Sequence, residues 1–443
     1  MIKLSENTFF RSVDEDQLLY NPRTEAGCVI KNAFQLLSRL QQGVSSIDNL
    51  CHELSCFLDA DETMLKSDYS EIIKSLIDLE LVTCDGKQDG CTANGLIDQK
   101  SDDMDPADII EPFYELHGLV SELHIDLTDD CTEKCVHCYY PCHGRSYISL
   151  ECVKKVLSEF RDAQGLTVYI SGGECMLHPK FLNICEYCRE IGLNFIILSN
   201  LTLCDEKTIN ALRTLNPQFI NVSLYSMESE IHDKITRVKG SWEKTMRAIL
   251  GCKEVGLHIR VATPLLKTNR KSFGEIKSFC DLNRLHFVPD YNIFARTDHS
   301  SDNLDFACSI SELEETLNDE FQIFKPLIEN CYRNESDCRV CRIGHRRIYV
   351  DFHGNYYPCD AMHDYKLGSV YDNALLEIWR GRNMKLIREM RLKDLRKCVG
   401  CEDRKYCLIC PAQNYNATGD MLVPNQNKCQ VAKIVGQICK KRL

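Results

Sequence analysis

The sequence lacks several features that would mark a membrane, fibrous or nucleic-acid-binding protein. No run reaches about 18 uninterrupted apolar residues, so we expect no membrane-spanning helix. The 12 prolines and 22 glycines among 443 residues are too few for a fibrous or linker-rich chain. The formal net charge is −12, whereas a broad nucleic-acid surface needs a positive excess. No apolar run follows the first residues, so a signal peptide is not expected and we predict a cytoplasmic protein.

Cysteine is the residue in excess, with 27 copies. An exported chain would use them as disulfides, but in a reducing cytosol many spaced cysteines more often bind metal. The hydrophobic fraction of 44% and the charged fraction of 27% are otherwise ordinary for a globular protein. At about 100–200 residues per domain, the length predicts two to four domains.

Residues 1–85 form the first predicted domain, which is acidic, with 7 basic and 15 acidic residues. Val29, Phe34 and Leu37 recur at helical spacing, which predicts a helix from about residue 25. The pattern predicts a winged-helix-like module: strands at Phe9–Val13 and Gln17–Tyr20, helices at about 25–42, 46–57 and 67–79, and a closing strand at 81–83. Its acidity argues against DNA binding.

An acidic linker at 86–114 precedes a region, 115–300, in which strands and helices alternate. Repeated strand–helix units predict an α/β fold, a partial (β/α)6 barrel with ligands at the carboxyl ends of its strands. A helical bridge at 301–337 and a loop-rich, cysteine-dense domain at 338–443 follow. The predicted barrel strands are Ser121–Leu127, Thr167–Ile170, Asn194–Leu198, Phe219–Tyr225, His258–Thr263 and His286–Asn292.

Three cysteines directly follow the first predicted barrel strand: Cys131, Cys135 and Cys138. Three thiolates can hold three irons of a cubic [4Fe-4S] cluster, which normally takes four cysteines. The fourth iron would then be open to a small molecule. The alternative is a zinc site, although zinc usually takes paired cysteines and a fourth ligand nearby.

This C-x3-C-x2-C loop resembles the radical S-adenosylmethionine (SAM) family. The resemblance implies that the open iron binds SAM, and that reductive cleavage of SAM yields a radical that abstracts a substrate hydrogen. One departure is His137, because the family usually has a carbocyclic aromatic residue before the third cysteine. The cofactors carry the hard chemistry, while the protein positions and shields them.

Other residues strengthen the resemblance. The turn after the second strand matches the family's Gly-Gly-Glu motif, which binds the SAM amino group. Ser199 and Asn200 stand where the family contacts ribose, and Ser223 with Arg237 where one branch holds the SAM carboxylate. The SAM contacts implied by the resemblance are Gly172, Gly173, Glu174, Ser199, Asn200, Ser223, Arg237 and His137. No catalytic acid or base stands out.

The later cysteines resemble the SPASM extension of peptide- and protein-modifying radical SAM enzymes, which implies two auxiliary [4Fe-4S] clusters. Carried over, one cluster would use Cys338, Cys341, Cys359 and Cys410. The other would use Cys398, Cys401, Cys407 and Cys429. The middle block here ends C-x2-C rather than the usual C-x3-C, which leaves the assignment of cysteines to clusters open. Two structural zinc ions are the alternative, because C-x2-C pairs also bind zinc.

The order of the domains resembles the maturases of ribosomally made peptides. In those enzymes a leader peptide adds as a strand to the front module, and a crosslink, thioether or carbon-linked, forms in the core peptide. The resemblance implies a precursor-peptide partner and an electron donor such as flavodoxin or ferredoxin, with no nucleic acid or membrane. Two alternatives stay open: a formylglycine-forming sulfatase maturase or similar side-chain oxidase, and a non-catalytic zinc-binding interaction protein.

Replacing Cys131, Cys135 and Cys138 together by Ala should abolish reductive SAM cleavage but leave the two auxiliary clusters. Anaerobic iron and sulfide counting should then fall from about twelve to about eight irons per chain. Several bound zinc ions in the unaltered chain would instead favour the zinc alternative. Retained SAM cleavage in the triple variant would overturn the assignment of this loop.

Overall fold

The computed structural model describes residues 1–84, 107–140, 143–329 and 338–442. The chain divides into two compact units. The first comprises Met1–Ser121, Arg161–Leu166 and Gly192–Asn194, and the second comprises Glu122–Phe160, Thr167–Ile191 and Phe195–Leu443. Within the described part of the chain, no helix has the length and hydrophobicity needed to cross a membrane. Residues 86–106 of the predicted linker lie outside the described residues, and its last residues belong to a helix.

The first unit combines small antiparallel sheets with helices. Its elements are β1 (Ile2–Leu4), β2 (Phe9–Val13), β3 (Asp16–Asn21), β4 (Ala26–Lys31), α1 (Phe34–Gln42), α2 (Ile47–Leu58), α3 (Glu62–Asp78), β5 (Val82–Cys84) and α4 (Ala107–Leu116). The strands β2, β3 and β4 form one sheet in that order, and β1 pairs with β5. Side-chain caps start two helices, because Ser46 accepts from the Asn49 N–H and Asp61 from the Met64 N–H.

The predicted helix at 25–42 is wrong over its first half, because α1 begins only at Phe34. Residues 26–31 form β4, in which Val29 lies opposite Leu18 of β3. Asn32 has a φ of +56°, a left-handed conformation that stops a right-handed helix from running through. The apolar spacing did continue into α1, whose Leu37 is fully buried, but Val29 is 42% exposed. Pairing with β3 therefore overrode the helical spacing.

The alternating region forms the predicted partial barrel, and the α/β fold class is confirmed. Six strands are parallel in the spatial order β11-β10-β9-β8-β7-β6. Strands β6, β7 and β8 are buried on both faces, as in parallel sheets covered by helices, whereas β9 and β10 alternate between buried and half-buried residues and β11 is partly exposed. The elements are β6 (Glu122–Asp126), α5 (Leu150–Asp162), β7 (Thr167–Ser171), α6 (Phe181–Glu190), β8 (Asn194–Ser199), α7 (Glu206–Leu215), β9 (Ile220–Ser223), α8 (Ser229–Thr236), α9 (Ser241–Glu254), β10 (Ile259–Pro264), α10 (Phe273–Asn283) and β11 (His286–Asp290).

The C-terminal region adds three strands to this sheet. Its elements are α11 (Ile310–Asp319), α12 (Phe321–Glu329), β12 (Arg347–Val350), β13 (Asn355–Tyr357), β14 (Gly368–Ser369), α13 (Leu375–Arg380), α14 (Arg382–Arg388), α15 (Arg396–Val399), α16 (Pro411–Thr418) and α17 (Gln426–Arg442). Strand β12 pairs in parallel with β6, and β13 and β14 continue antiparallel. In the described part of the predicted helical bridge, residues 301–329, the chain forms α11 and α12. The last turn of α17 carries the basic residues Lys440, Lys441 and Arg442.

Candidate functional site

The loop with the first three cysteines lies at the carboxyl end of β6. All three thiols are half-buried. The loop is held by the end of α8, because the Lys134 N–H donates to the Thr236 carbonyl and the Val136 N–H to the Ile235 carbonyl, each at 2.9 Å. Val136 also packs in a small apolar cluster. These contacts fix the loop where ligands of parallel α/β sheets bind.

The glycine turn after β7 packs directly against the backbone that leads into this loop. The Gly173 N–H donates to the Thr128 carbonyl and the Glu174 N–H to the Asp130 carbonyl, both at 2.8 Å. Gly172 has a φ of +135°, and a Cβ there would lie 2.5 Å from the Thr128 oxygen. A Cβ on Gly173 would overlap the Asp130 oxygen. The glycines therefore permit close approach of two backbones, while their predicted contacts with SAM stay predictions.

The Glu174 carboxylate is completely buried and bonded within the chain. It accepts from the Ser199 hydroxyl at 2.9 and 3.0 Å, from the Asn200 N–H at 2.8 Å and from the Met176 N–H at 3.0 Å. Burial raises the pKa of Glu174, although these hydrogen bonds oppose the shift. The carboxylate thus joins the ends of β7 and β8, and its contact with the SAM amino group stays a prediction.

Asn200 extends this network to the first cysteine. Its Nδ2 lies 3.8 Å from the Cys131 Sγ and 2.9 Å from the Thr132 Oγ1. The Asn200 carbonyl accepts from the Thr245 hydroxyl at 2.9 Å. An amide donor beside sulfur stabilises a thiolate, the form that ligates metal. Ser199 and Asn200 are therefore brought to the loop, while their predicted ribose contacts stay predictions.

Two residues beside the second cysteine were missed from the sequence. The buried Tyr225 hydroxyl lies 3.5 Å from the Cys135 Sγ and also bonds the Ser223 side chain. Glu133 Oε2 lies 3.3 Å from the same sulfur, and burial raises the pKa of Glu133 to about 7. Tyr225 follows Ser223 by two residues at the end of β9, so strand alternation alone could have placed both on one face.

His137 and Arg237 occupy different environments. The His137 ring stands edge-on to Tyr225 at 5.2 Å, and burial lowers the pKa of His137 to about 4, so the imidazole is neutral near pH 7. Its Nδ1 has no hydrogen-bond partner among the described residues. Arg237 ends α8 beside the loop, but its side chain is exposed and its guanidinium lies 5.8 Å from the Phe306 ring. The structure therefore places Arg237 near the site without aiming it at a cysteine.

Asn303 is a further residue that the sequence did not reveal. Its side chain is fully buried. Its Nδ2 donates to the Phe294 carbonyl at 2.8 Å and to the His137 carbonyl at 3.1 Å. This contact spans 166 positions of the chain, so no local pattern predicts it. Asn303 holds the backbone that carries the third cysteine.

A buried group of titratable side chains lies beside the loop. Asp126 Oδ2 accepts from the Tyr349 hydroxyl at 2.7 Å and from the Tyr140 hydroxyl. His124 Nε2 lies 3.4 Å from Asp126 Oδ1, outside good hydrogen-bond geometry. Asp360, directly after Cys359, is half-buried. Burial raises its pKa, but the charges of His124 and Arg347 together with hydrogen bonds leave the pKa lowered. These residues are candidates for the acid or base that the sequence left unassigned.

The later cysteines lie in two neighbouring groups. Cys341, Cys359 and Cys410 pack on one apolar cluster, and Cys410 interacts electrostatically with both of the others. A cavity of about 120 Å³ is lined by Cys398, Cys401, Cys407, Cys410 and Cys429. Cys410 therefore touches both groups. Cys338 stands three residues before Cys341, and its carbonyl accepts from the Leu392 N–H at 3.0 Å. Cluster ligation by each set stays a prediction.

The thiol groups have the donor chemistry that a cubic iron–sulfur cluster requires. Among the described residues, no three His, Cys, Asp or Glu side chains are arranged to hold one metal ion. A cubic cluster places each thiolate on a separate iron, so its ligands need not converge on one point. Burial raises the pKa of Cys131 to about 12 and that of Cys135 well above the usual value. Ligation must therefore release protons from these thiols.

Two family models match the chain. The radical SAM superfamily matches residues 125–280, and SPASM, an iron–sulfur cluster-binding domain, matches residues 317–402. The chain carries a radical SAM domain and a SPASM domain. The radical SAM match includes the three-cysteine loop and the glycine turn. The SPASM match ends before Cys407, Cys410 and Cys429, which the structure nevertheless places beside its earlier cysteines.

The relatives among characterised proteins point to more than one substrate class. The antilisterial bacteriocin subtilosin biosynthesis protein AlbA of Bacillus subtilis is 26% identical over 263 residues, which cover 57% of this chain and 58% of AlbA. This chain therefore spans less than two thirds of AlbA. The AdoMet-dependent heme synthase of Nitratidesulfovibrio vulgaris is 24% identical over 67% of this chain and 88% of that enzyme.

Solved structures share the fold. SuiB of Streptococcus suis bound to SAM superposes with a TM-score of 0.60 at 17% identity, over 93% of this chain and 96% of SuiB. SuiB bound to its precursor peptide SuiA gives a TM-score of 0.61 at 18% identity, with the same coverage. The structure of anSMEcpe with bound AdoMet gives 0.58 at 16% identity, over 73% of this chain and 94% of that one.

The chain's own residues serve to hold and shield the reacting groups. When bound, SAM and an open-iron cluster supply the one-electron chemistry that side chains lack. Cys131, Cys135 and Cys138 would hold that cluster. Asn200 and Tyr225 direct hydrogen-bond donors at two of the sulfurs. Burial keeps His137 neutral beside them.

Gly173→Ala should displace the cysteine loop, because the new Cβ would overlap the Asp130 carbonyl oxygen. We expect SAM cleavage to be lost and the iron content to fall from about twelve to about eight per chain. Gly274→Ala on α10 is the matched control, because its Cβ would make only ordinary contacts, the nearest at 3.5 Å from the Glu320 Oε1. Full iron content and full cleavage in Gly173→Ala would contradict the packing described above.

Proposed function

We propose that this protein is a radical SAM maturase that forms a crosslink, thioether or carbon-linked, within a ribosomal precursor peptide. The observation that carries the proposal is the extent of the likeness to SuiB. It covers 93% of the chain and so cannot leave out the whole front module, which is about a fifth of the residues. The likeness to anSMEcpe covers 73%. A front module joined to a radical SAM domain and a SPASM domain suits an enzyme that must first select a peptide.

The front module offers an edge for a leader peptide. Strand β4 pairs with β3 on one side, and no other described strand pairs with it. An extended peptide can add to such an edge through backbone hydrogen bonds, with side-chain pockets providing selection. Val29 on β4 is 42% exposed and Phe34, three residues beyond its end, is 48% exposed. These apolar side chains are the candidate contacts for a leader.

The buried group around Asp126 supplies a route for a proton. A crosslink between two side chains removes two hydrogens from the peptide. The SAM-derived radical would take one as a hydrogen atom, and the other would leave as a proton while its electron passes to an auxiliary iron–sulfur cluster. Asp126 is completely buried, and both ring nitrogens of His124 lack a hydrogen-bond partner among the described residues. A buried carboxylate and imidazole beside the three-cysteine loop are suited to general acid–base work. We assign proton transfer to this pair.

A tetrapyrrole is the second candidate substrate. It rests on the similarity to the heme synthase, which extends over 88% of that enzyme. A tetrapyrrole-modifying enzyme has no need of a peptide-selecting front module, so we rank this candidate second. Mass spectrometry distinguishes the two candidate functions, because the first changes the mass of a precursor peptide and the second that of a tetrapyrrole.

The proposed activity predicts a loss of two hydrogens from the precursor peptide encoded beside the gene. The assay is anaerobic, with SAM and reduced flavodoxin or ferredoxin, and is read by mass spectrometry. The variant lacking Cys131, Cys135 and Cys138 is the control and should leave the peptide unchanged. An unchanged peptide with the active enzyme, together with conversion of an iron porphyrin precursor, would replace the first candidate with the second.

Val29→Asp combined with Phe34→Asp should weaken precursor binding by more than about tenfold, a change of about 1.4 kcal/mol or more. Charges would replace the exposed apolar contacts of the edge strand, while uncoupled SAM cleavage should persist. Phe57→Asp is the matched control, since Phe57 is 63% exposed at the end of α2. Fluorescence anisotropy of a labelled precursor measures the affinity. Equal affinity for the double variant and the control would defeat the leader-binding role.

A further inference from the structure

The second unit contains a cleft of about 520 Å³ outside the cysteine sites. It lies where the segment after β11 faces α16 and the start of α17. Side-chain carboxamides dominate its polar lining, and we call it the amide cleft. These carboxamides are Asn292, Gln413, Asn416, Asn425, Asn427 and Gln430.

The rest of the lining narrows the chemistry of the ligand. Leu265, Leu304 and Leu313 contribute apolar surface. Among the described residues, the basic members of the lining are His299 and Lys428, and the lining includes no Asp or Glu. The lining suits a neutral or mildly acidic molecule that carries many hydrogen-bond donors and acceptors together with apolar groups.

Gln413 gives the cleft an unused donor. Its side chain is only 5% exposed, and its Nε2 has no hydrogen-bond partner among the described residues. A buried amide left without a partner is unfavourable. A shift of the Gln413 side chain towards a ligand oxygen in the cleft would satisfy this donor.

Carboxamides match the peptide backbone in chemistry. Each offers N–H donors and a carbonyl acceptor, as each peptide unit does, and an extended chain presents such a unit about every 3.3 Å. We propose that the amide cleft binds an extended segment of the precursor peptide through its backbone. This inference rests on the proposed function and adds a second peptide-binding site, distinct from the edge of β4.

The position of the cleft suits a substrate segment. Residues 292–304, which contribute several of its lining residues, also contact the cysteine loop. The Thr297 N–H donates to the Tyr139 carbonyl at 2.9 Å, and Asn303 Nδ2 donates to the His137 carbonyl at 3.1 Å. Lys428 lines both the amide cleft and the cavity that contains Cys410. A peptide in the cleft would thus lie against elements that contact both sets of cysteines.

Asn427→Ala combined with Gln430→Ala tests the cleft in the full-length enzyme with its clusters. Both side chains are exposed at its rim, so folding, iron content and uncoupled SAM cleavage should be unchanged. The probe is the synthetic peptide of the reading frame beside the gene. We expect its affinity to fall at least about fivefold, because the two substitutions remove two hydrogen-bonding side chains. Asn210→Ala removes an exposed carboxamide on α7, outside the cleft, and is the matched control.

N-methylation of the probe, one backbone nitrogen at a time, distinguishes backbone from side-chain recognition. We expect a run of consecutive positions at which methylation weakens binding by about 2- to 10-fold. In the Asn427/Gln430 double variant this sensitivity should shrink. The proposal would be overturned if the double variant and the Asn210→Ala control bound the peptide with equal affinity. It would also be overturned if N-methylation affected binding to these two variants identically.

Photo-crosslinking identifies the occupant directly. Ile310→p-benzoylphenylalanine places a photoreactive group at the rim, where Ile310 is 40% exposed, and Leu282→p-benzoylphenylalanine is the control on α10. We expect a peptide adduct from position 310 and none from position 282. An adduct within the chain or between two chains, in place of the peptide, would overturn the proposal. The enzyme could crosslink the precursor while position 310 yields no peptide adduct. That result would contradict peptide binding in the amide cleft and leave the proposed function intact.

Discussion

The packing of the glycine turn against the backbone before the first cysteine is the contact on which the candidate site depends. Two N–H groups of this turn donate to carbonyls at 2.8 Å, and the missing side chains of Gly172 and Gly173 allow the approach. The Glu174 carboxylate then holds the end of β8 in place, because it accepts hydrogen bonds from the Ser199 hydroxyl and the Asn200 N–H. Three neighbouring strand ends are thereby held as one rigid edge, and the cysteines take their positions from it.

Burial sets the electrostatics at this edge. Hydrogen bonds and charges act more strongly away from water, and the sulfur atoms have donors nearby in Asn200 and Tyr225. The same burial keeps the thiols protonated and His137 neutral until a metal displaces the thiol protons. The site thus combines polar groups that assist ligation with surroundings that protect reactive species from water.

Strand β12 connects the two cysteine-rich regions through one sheet. It pairs in parallel with β6, whose end leads into the first cysteine loop. Its hairpin with β13 leads towards Cys359. This pairing also brings Tyr349 against Asp126, so the buried acid–base group is assembled from both domains. A radical site, auxiliary cysteines and a candidate proton acceptor therefore share one rigid framework.

The sequence by itself determined the elements whose signals are local. The cysteine spacing, the glycine turn and each of the six barrel strands have a signal in a few consecutive residues. The predicted boundaries of the barrel strands agree with the observed ones to within a few residues. Tertiary structure decided the rest. Strand β4 formed because β3 pairs with it against a helical apolar spacing. Asn303, Tyr225 and the carboxamides of the amide cleft came together because hydrogen bonding and burial act between residues far apart in the chain, which no local pattern records.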